Sequence, residues 1–296
     1  MPTLKQLNAF VAIARNGNLG DAANSIHLSK GAVSQALAEL ELRLGTRLFD
    51  RVHPRLRLND QGRQLQVLAE DILDRVEDVR HMFDHGGSPV GTLRIGASQT
   101  IGNYLLPRLL ADISGLDAKV SIANSQQLCE RLIRFELDLA LIEGRTDDPD
   151  LETRIWRRDE MLLVARPDHP LAGRQGVALA DLSGCDWILR EPKSGSRAQF
   201  DRAIAPHLVS MGKVLELNSI EALILAVEQG LGVTLVSRLA VESRLQQKTL
   251  AILAVDQCFT RTLKLVWHRQ KYHSALMDHF IASIVTDDTA TTPQET

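Results

Sequence analysis

Small and hydrogen-bonding side chains gather at the start of one predicted helix in the stretch Asn18–Leu44. Apolar residues recur at helical spacing on both sides of a break at 27–29, which predicts two short helices joined by a tight turn. Ser29 would cap the second helix, because its hydroxyl can accept a hydrogen bond from a first-turn backbone N–H. The exposed side at its start then consists of Lys30, Gly31, Ser34, Gln35 and Ala38. Such a surface suits the major groove of DNA, although an ordinary helical hairpin with a solvated outer face has the same spacing.

A basic hairpin is predicted directly after this helix pair. Two short strands would flank a turn at 53–54, with Arg55 and Arg57 on one face and leucines on the other. Beside a helix-turn-helix such a hairpin forms a wing suited to phosphates or the minor groove, and a solvated strand face is the alternative. We expect the DNA-binding residues to be Ser29, Lys30, Gly31, Ala32, Ser34, Gln35, Arg51, His53, Arg55 and Arg57.

Charge is distributed unevenly along the chain. Residues 1–62 carry eight Lys and Arg against five Asp and Glu, a net charge of +3. The whole chain carries −3, so residues 63–296 carry −6. A basic N-terminal module on an acidic body favours a nucleic-acid contact confined to one end of the protein.

The elements that must hold these residues are also visible in the pattern. A helix before Gly17 supplies the core on which the helix pair packs. Asn59 or Asp60 caps a long helix that runs to about Asp84 and carries a narrow, coiled-coil-like apolar stripe. A partner chain would bury this stripe and give a dimer, and packing on the chain's own C-terminal domain is the alternative. Residues 85–89 are predicted to form a linker.

From Gly91 onward strands alternate with helices, which predicts an α/β domain with mostly parallel sheets. Hydroxyl and amide residues follow several of these strands, and open α/β sheets bind ligands at such junctions. Each of them could instead be a plain helix cap. Arg190, Lys193 and Arg197 favour an anionic ligand, provided that Glu143 and Glu191 pair with cations.

We expect the effector-binding residues to lie at these junctions and beside those charges. They are Ser98, Gln99, Thr100, Asn124, Ser125, Glu143, Glu191, Ser194, Ser196, Arg197 and Asn218.

Motifs of catalysis are missing from the sequence. It has no G-x-S-x-G, H-E-x-x-H, P-loop or G-x-G-x-x-G pattern, so we expect no enzyme, no catalytic residue and no cofactor. Cys129, Cys185 and Cys258 fit no metal-ligand spacing, so no metal is expected; buried thiols are favoured over a redox sensor. No apolar run reaches the length of a membrane span and the N-terminus lacks a signal-peptide core, which predicts a cytoplasmic protein.

Four N-terminal motifs together resemble the LysR-type transcriptional regulators, over about residues 3–285. They are Ala22-Ala23, L-S-x-x-A-V-S at Leu28–Ser34, L-E-x-x-L-G at Leu40–Gly45 and L-F-x-R at Leu48–Arg51. The C-terminal segments GASQTIGNYLLPRLL, LDLALIEG, ILREPKSGSRAQF and GLGVTLVSRLAV look like the branch that controls sulfur assimilation and sulfite handling. The first of them is also similar to regulators of carbon-fixation genes.

The resemblance implies a winged helix-turn-helix DNA-binding domain at 1–62 and a dimerising linker helix and hinge at 63–90. It further implies an α/β effector-binding domain at 91–296, two-lobed like a type 2 periplasmic binding protein. Lobe I would comprise about 91–162 and 266–285, and lobe II about 163–265. Implied partners are double-stranded operator DNA, RNA polymerase, a small-molecule effector and further copies of the chain, as a homodimer assembling to a homotetramer. No membrane partner is implied.

Some positions depart from the family pattern. Lys30-Gly31 replaces the usual Gln-Pro or Gln-Ser, and Gln35 stands where many members have Arg, so the operator bases stay open. Phe135 replaces a typical Gly in the effector domain. Two other classes remain as rivals: a soluble protein that binds a small anion without DNA, and an enzyme that uses the cleft through Ser98.

Overall fold

A computed structural model describes residues 1–52, 55–81, 91–113, 116–144 and 146–289, with only the backbone described at 51, 52, 81 and 286–289. The chain forms two compact units. The first is Met1–Gly91 with Gln270–His279, and the second is Thr92–Arg269 with the chain from Phe280 onward. No helix within the described ranges is long and apolar enough to cross a membrane.

The N-terminal unit has the helices and the hairpin that the sequence predicts. Its elements are α1 (Leu4–Asn16), α2 (Leu19–Ser25), α3 (Lys30–Leu44), β1 (Phe49–Val52), β2 (Arg55–Leu58) and α4 (Asp60–His81). Side chains fix the helix starts: the Asn18 amide oxygen accepts from Asp21 N, and the Ser29 hydroxyl accepts from Ala32 N. Helix α1 ends at Gly17, whose φ of 69° favours glycine.

One apolar core joins these elements. Phe10, Ile13, Val33, Leu40 and Leu48 are each at most 1% exposed. Their burial supplies most of the stability of the helix pair, because short helices are marginal on their own.

Helix α4 begins at the first of the two predicted caps. The Asn59 side chain accepts from Gly62 N at 2.8 Å, so Asn59 rather than Asp60 caps the helix. The described helix ends at His81; the predicted end at Asp84 and the predicted linker lie outside the described residues. Leu68, Ile72 and Val79 of the apolar stripe are 60%, 42% and 56% exposed in the single chain.

The strands of the C-terminal unit are β3 (Thr92–Ala97), β4 (Asp117–Ile122), β5 (Leu139–Glu143), β6 (Leu151–Ala165), β7 (Trp187–Arg190), β8 (Val214–Leu217), β9 (Thr234–Ser237), β10 (Ala251–Ile252) and β11 (Phe259–His268). Seven of them form a mixed sheet in the order β10-β6-β11-β5-β3-β4, with β9 also paired to β6. Strand β3 pairs in parallel with β4 and β5, whereas β6 and β11 pair antiparallel with each other and with their other neighbours.

The prediction of mostly parallel sheets is therefore wrong. The long strands β6 and β11 cross between two halves of the unit in opposite directions, so the chain that leaves the first half by β6 returns by β11. This crossing gives the predicted two-lobed arrangement. The second half adds a small parallel sheet, β7-β8. The remaining helices are α5 (Gln99–Tyr104), α6 (Leu106–Ala111), α7 (Ser125–Ile133), α8 (Gly195–Ala203), α9 (Ile220–Glu228), α10 (Arg238–Gln246) and α11 (Ala275–Thr289).

Gly62 gives the first test of this packing. A Cβ at Gly62 would lie 2.1 Å from the Leu48 carbonyl oxygen, so Gly62→Ala must push α4 away from the hairpin. We expect a loss of about 1–3 kcal/mol in the stability of the N-terminal unit and faster hydrogen exchange of amides 48–62.

Gly20→Ala is the matched control, because its added Cβ would meet only the Asn18 side chain, at 3.4 Å. Its amides 48–62 should exchange as in the wild type. Equal exchange rates in the two variants would contradict the close approach of α4 to Leu48.

Candidate nucleic-acid interface and ligand cleft

Helix α3 presents a polar face to solvent. Val33, Ala36, Leu37 and Leu40 turn toward the core, and Lys30, Gly31, Ser34, Gln35 and Ala38 are all exposed. Ala32 is half-buried and the Ser29 hydroxyl is engaged as the helix cap. The face predicted from the spacing is thus present, with Ser29 positioning it.

Three cations surround a cavity of about 440 Å³ beside this face. They are Lys30 on α3, Arg47 before the hairpin and Arg55 on β2, and none has an acidic partner among the described residues. Unpaired cations around a concave surface form a site for phosphate oxygens. Sequence reasoning missed Arg47, since only its charge distinguishes it.

Exposed and half-buried side chains alternate along the second strand of the hairpin, as predicted. Its strands pair antiparallel with Val52 opposite Arg55, and Arg55 and Arg57 are exposed while Leu56 and Leu58 are half-buried. The Arg51 backbone belongs to β1, but its side chain and the whole of His53 lie outside the described residues.

A buried arginine occupies the middle of the C-terminal unit. Arg261 on β11 donates to Asp159 at 2.7 Å, to the Ser196 hydroxyl at 3.1 Å and to the Thr100 hydroxyl at 3.0 Å. It thereby joins β6, α8 and α5. Arg261 lies directly opposite Asp159 in the β6-β11 register, and its side chain is 4% exposed.

The cluster around Arg261 holds more negative than positive charge. Asp159 and Glu143 are both buried, and the Glu143 Oε1 lies 3.6 Å from the guanidinium, beyond hydrogen-bond distance. Glu143 Oε1 and Ser98 Oγ have no hydrogen-bond partner in the described part of the chain. Leaving such buried atoms unsatisfied costs about 1–3 kcal/mol each, which makes them candidates for ligand contact.

Sequence reasoning missed Arg261, although it stands at an apolar position of an alternating strand. Phe259, Arg261, Leu263 and Leu265 alternate along β11 and all point to the buried face. An arginine at an apolar position of a strand is uncommon unless it is paired.

The other predicted effector residues divide between two cavities. Gln99, Asn124, Glu191 and Asn218 line one of about 570 Å³, whereas Ser125, Glu143 and Ser194 line another of about 410 Å³. Ser98, Thr100 and Ser196 are buried, and the last two accept hydrogen bonds from Arg261.

Several of these residues also serve as caps. Asn124 accepts from Gln127 N and Ser194 from Arg197 N, whereas Ser98 makes no capping bond. The capping alternative therefore holds for Asn124 and Ser194.

Arg197 is not available as a free cation. Its guanidinium donates to Asp201 at 2.9 Å, to Glu216 at 3.3 Å and to the Arg190 carbonyl oxygen at 3.1 Å. Arg190 itself pairs with Glu191 at 2.8 Å. The predicted pairing of Glu191 is thus present, and Glu143 has an ion-pair contact with Arg261.

Two side chains of α5 bridge the halves of the unit. The Gln99 amide donates to the Asn218 carbonyl oxygen at 2.6 Å and accepts from Ile220 N at 2.7 Å. The Tyr104 hydroxyl binds Glu221, and burial together with this carboxylate raises the pKa of Tyr104. These contacts hold the two halves together at the mouth of the cleft.

The prediction of buried thiols is wrong for Cys258, which is exposed, and Cys129 and Cys185 are half-buried. Burial raises the pKa of the Cys129 and Cys185 thiols, which keeps them protonated and poorly nucleophilic near neutral pH. Within the described ranges no group of His, Cys, Asp and Glu is arranged to hold a metal ion.

Comparison with known proteins explains this pairing of units. A bacterial regulatory helix-turn-helix model of the lysR family matches residues 4–63, and the LysR substrate binding domain model matches 86–288. The chain belongs to the LysR family of transcriptional regulators. Members of this family bind DNA through the N-terminal domain and effectors through the C-terminal one.

Relatives of this LysR-family protein match over most of its length. The HTH-type transcriptional regulator YeiE of Escherichia coli (strain K12) is 37% identical over 94% of this chain and 96% of its own. CysL of Bacillus subtilis is 30% identical, covering 92% and 91% of the two chains. A RuBisCO operon transcriptional regulator of Allochromatium vinosum is also 30% identical, covering 86% and 85%.

Solved structures share the fold. A full-length OxyR variant from Pseudomonas aeruginosa superimposes with a TM-score of 0.77 at 21% identity, covering 100% of this chain and 99% of its own. The regulatory domain of CcmR from Synechocystis PCC6803, solved in complex with 2-PG, has a TM-score of 0.64 at 26% identity. It covers 68% of this chain and 99% of its own.

The unpaired cations give a prediction about salt dependence. Arg55→Ala should lower the slope of log affinity for DNA against log salt concentration by about one unit per bound protomer, because one phosphate contact is lost. Affinity titrations over a range of salt concentrations measure the slope. Arg202→Ala, which removes an exposed arginine from α8, should leave the slope as it is. A slope equally unaffected by Arg55→Ala would remove the wing from the phosphate contacts.

Proposed function

We propose that the chain binds operator DNA sequence-specifically, with α3 in the major groove and the wing on the backbone. The observation that carries this proposal is the exposed polar face of α3 next to the unpaired cations Lys30, Arg47 and Arg55. Phosphate contacts would set the register, and the side chains of α3 would read base edges. The DNA-binding domain would be residues 1–62, the linker helix and hinge 63–90, and the effector domain 91–296, acting in the cytoplasm.

The exposed stripe on α4 supports a homodimer. Leu68, Ile72 and Val79 would be buried against the same helix of a second chain, in the manner of a coiled coil. Two dimers would assemble to a homotetramer, so that paired recognition helices meet paired half-sites on the operator.

A small anion is the effector class we propose, and Arg261 is the cation that would bind it beside the buried carboxylates Asp159 and Glu143. The buried Arg261 has N–H groups beyond those bound to Asp159, Ser196 and Thr100, and the buried Ser98 hydroxyl has no hydrogen-bond partner among the described residues. The CcmR regulatory domain, 26% identical to this chain, was solved with 2-PG bound. An anion would join the two halves through Arg261, in place of the Arg197 contact expected from sequence.

Effector binding would act on DNA through the arrangement of the dimers. A ligand with different affinities for two arrangements shifts their populations, and hence the spacing of the recognition helices and the contact with RNA polymerase.

The target genes we propose are those of sulfur and sulfite metabolism, in line with the resemblance of the C-terminal segments to the branch that controls sulfur assimilation and sulfite handling. Carbon-fixation or redox genes are the second candidate, because a RuBisCO operon transcriptional regulator is 30% identical to this chain. Mapping the bound operators in the native genome decides between them.

Gln35→Ala tests base reading by α3. It should weaken binding to the cognate operator by roughly tenfold and binding to random DNA far less, because one side chain that reads a base edge is lost. Fluorescence titrations with both duplexes at one salt concentration measure the ratio. Equal losses on the two duplexes would rule out a base-reading role for Gln35.

Arg261→Lys and Arg197→Lys together test the effector site. Lysine keeps the charge but cannot reach Asp159, Ser196 and Thr100 at once, so Arg261→Lys should abolish the response to anions. Arg197→Lys should keep that response, because Arg197 is already paired with carboxylates. Thr100→Ala should lose the response while DNA binding persists.

The measurement is the shift in melting temperature and in operator affinity on adding sulfite, sulfate or 2-PG. A normal response from Arg261→Lys and Thr100→Ala would place the effector in another pocket.

A further inference from the structure

Hydrogen bonds link three side chains, Gln6, Glu39 and Gln35, and reach the exposed face of α3. The backbone N–H of Thr3 donates to Gln6 Oε1 at 3.1 Å, and Gln6 Nε2 donates to Glu39 Oε2 at 3.0 Å. Gln35 Nε2 then donates to Glu39 Oε1 at 2.9 Å. The chain thus connects the start of α1 to the middle of α3.

The orientation of the Gln6 amide is set by the Thr3 backbone. A backbone N–H can only donate, so the Gln6 amide must turn its oxygen to Thr3 and its NH₂ group to Glu39. Gln6 is 4% exposed and belongs to the capping box of α1, which fixes its position.

Glu39 accepts from both Gln6 and Gln35, so the carboxylate itself sets the orientation of the Gln35 amide. The hydrogen bonds from Gln35 and Gln6 lower the pKa of Glu39, so its carboxylate is ionised at neutral pH and can only accept. Gln35 must therefore donate one N–H to Glu39, which turns its carbonyl oxygen outward.

We propose that Glu39 is a positioning residue that makes Gln35 present a hydrogen-bond acceptor to the DNA. In the major groove the amino groups are N6 of adenine and N4 of cytosine, so Gln35 selects an amino-bearing base at one position of each half-site. This inference rests on the proposed function, in which α3 faces the bases.

A surface Gln and Glu four residues apart on a helix is by itself a common stabilising pair. The contact that distinguishes this one is the buried Gln6 amide on a different helix, which fixes the Glu39 carboxylate. Because a second helix holds the Glu39 carboxylate in one position, the Gln35 amide that donates to it also keeps one position.

Glu39→Gln should reverse the direction of the hydrogen bond between residues 35 and 39. Gln6 would still donate to the new amide oxygen, so the new NH₂ group would face Gln35. Gln35 would then turn its oxygen inward and its NH₂ group outward. The selected base should change from adenine or cytosine to guanine or thymine, which offer the acceptors O6 and O4.

The experiment selects binding sites from a randomised duplex library with the full-length wild-type protein and each variant. The position that Gln35 reads is the one whose preference disappears in Gln35→Ala. There the wild type should favour adenine or cytosine by roughly tenfold in titrations of all four base pairs. Glu39→Gln should reverse the preference, and Glu39→Ala should reduce it to under about threefold.

Glu41→Gln is the matched control for charge. It removes the same unit charge from α3, while its amide oxygen can still accept from the Leu48 N–H as Glu41 does at 2.8 Å. Its base preference should equal that of the wild type, even if overall affinity rises.

The outcomes separate the two proposals. If the wild type enriches no sequence, the proposed function fails. The positioning role of Glu39 is overturned if the wild type enriches a sequence but any of three results follows: Gln35→Ala alters no position, the wild type favours guanine or thymine there, or both Glu39 variants keep the wild-type preference.

Discussion

A single buried guanidinium connects the parts of the C-terminal unit. Arg261 lies on one of the two strands that cross between the halves, and it donates to Asp159, Ser196 and Thr100. Removing one partner of such a pair costs about 3–5 kcal/mol, because the other charge stays buried. The same cluster contains an extra carboxylate, Glu143, with an unsatisfied oxygen. The same few side chains thus stabilise the fold and form a candidate ligand site.

Leu48 has a comparable role in the N-terminal unit. Its N–H donates to Glu41 of α3, its carbonyl oxygen accepts from Asn59 before α4, and Gly62 lets α4 approach that oxygen. The wing is therefore attached to both helices at its base. This attachment holds the wing cations at a fixed distance from the polar face of α3, which a continuous DNA surface requires.

Local features of the sequence were sufficient to predict the helices and the wing of the N-terminal unit. The apolar spacing, the caps Asn18 and Ser29, the glycine that ends α1 and the alternation of Arg55 and Arg57 each depend on residues within one turn or one strand. The family resemblance added the two-lobed fold of the C-terminal unit. The cap-or-ligand alternative at each strand end stayed open, because a polar residue there satisfies both patterns.

The sequence by itself determined the helices, their caps, the wing and the basic N-terminal charge, because these follow from contacts between near neighbours. Only the tertiary structure decided the mixed sheet, the partners of Arg197 and the position of Arg261. The donors of Arg261 reach residues 65 to 161 positions away in the chain. It also decided the position of the Glu39 carboxylate, which accepts from Gln6 on another helix and from Gln35 on its own. A hydrogen bond has a direction and a charge needs a partner, and both are set by residues that meet only after folding.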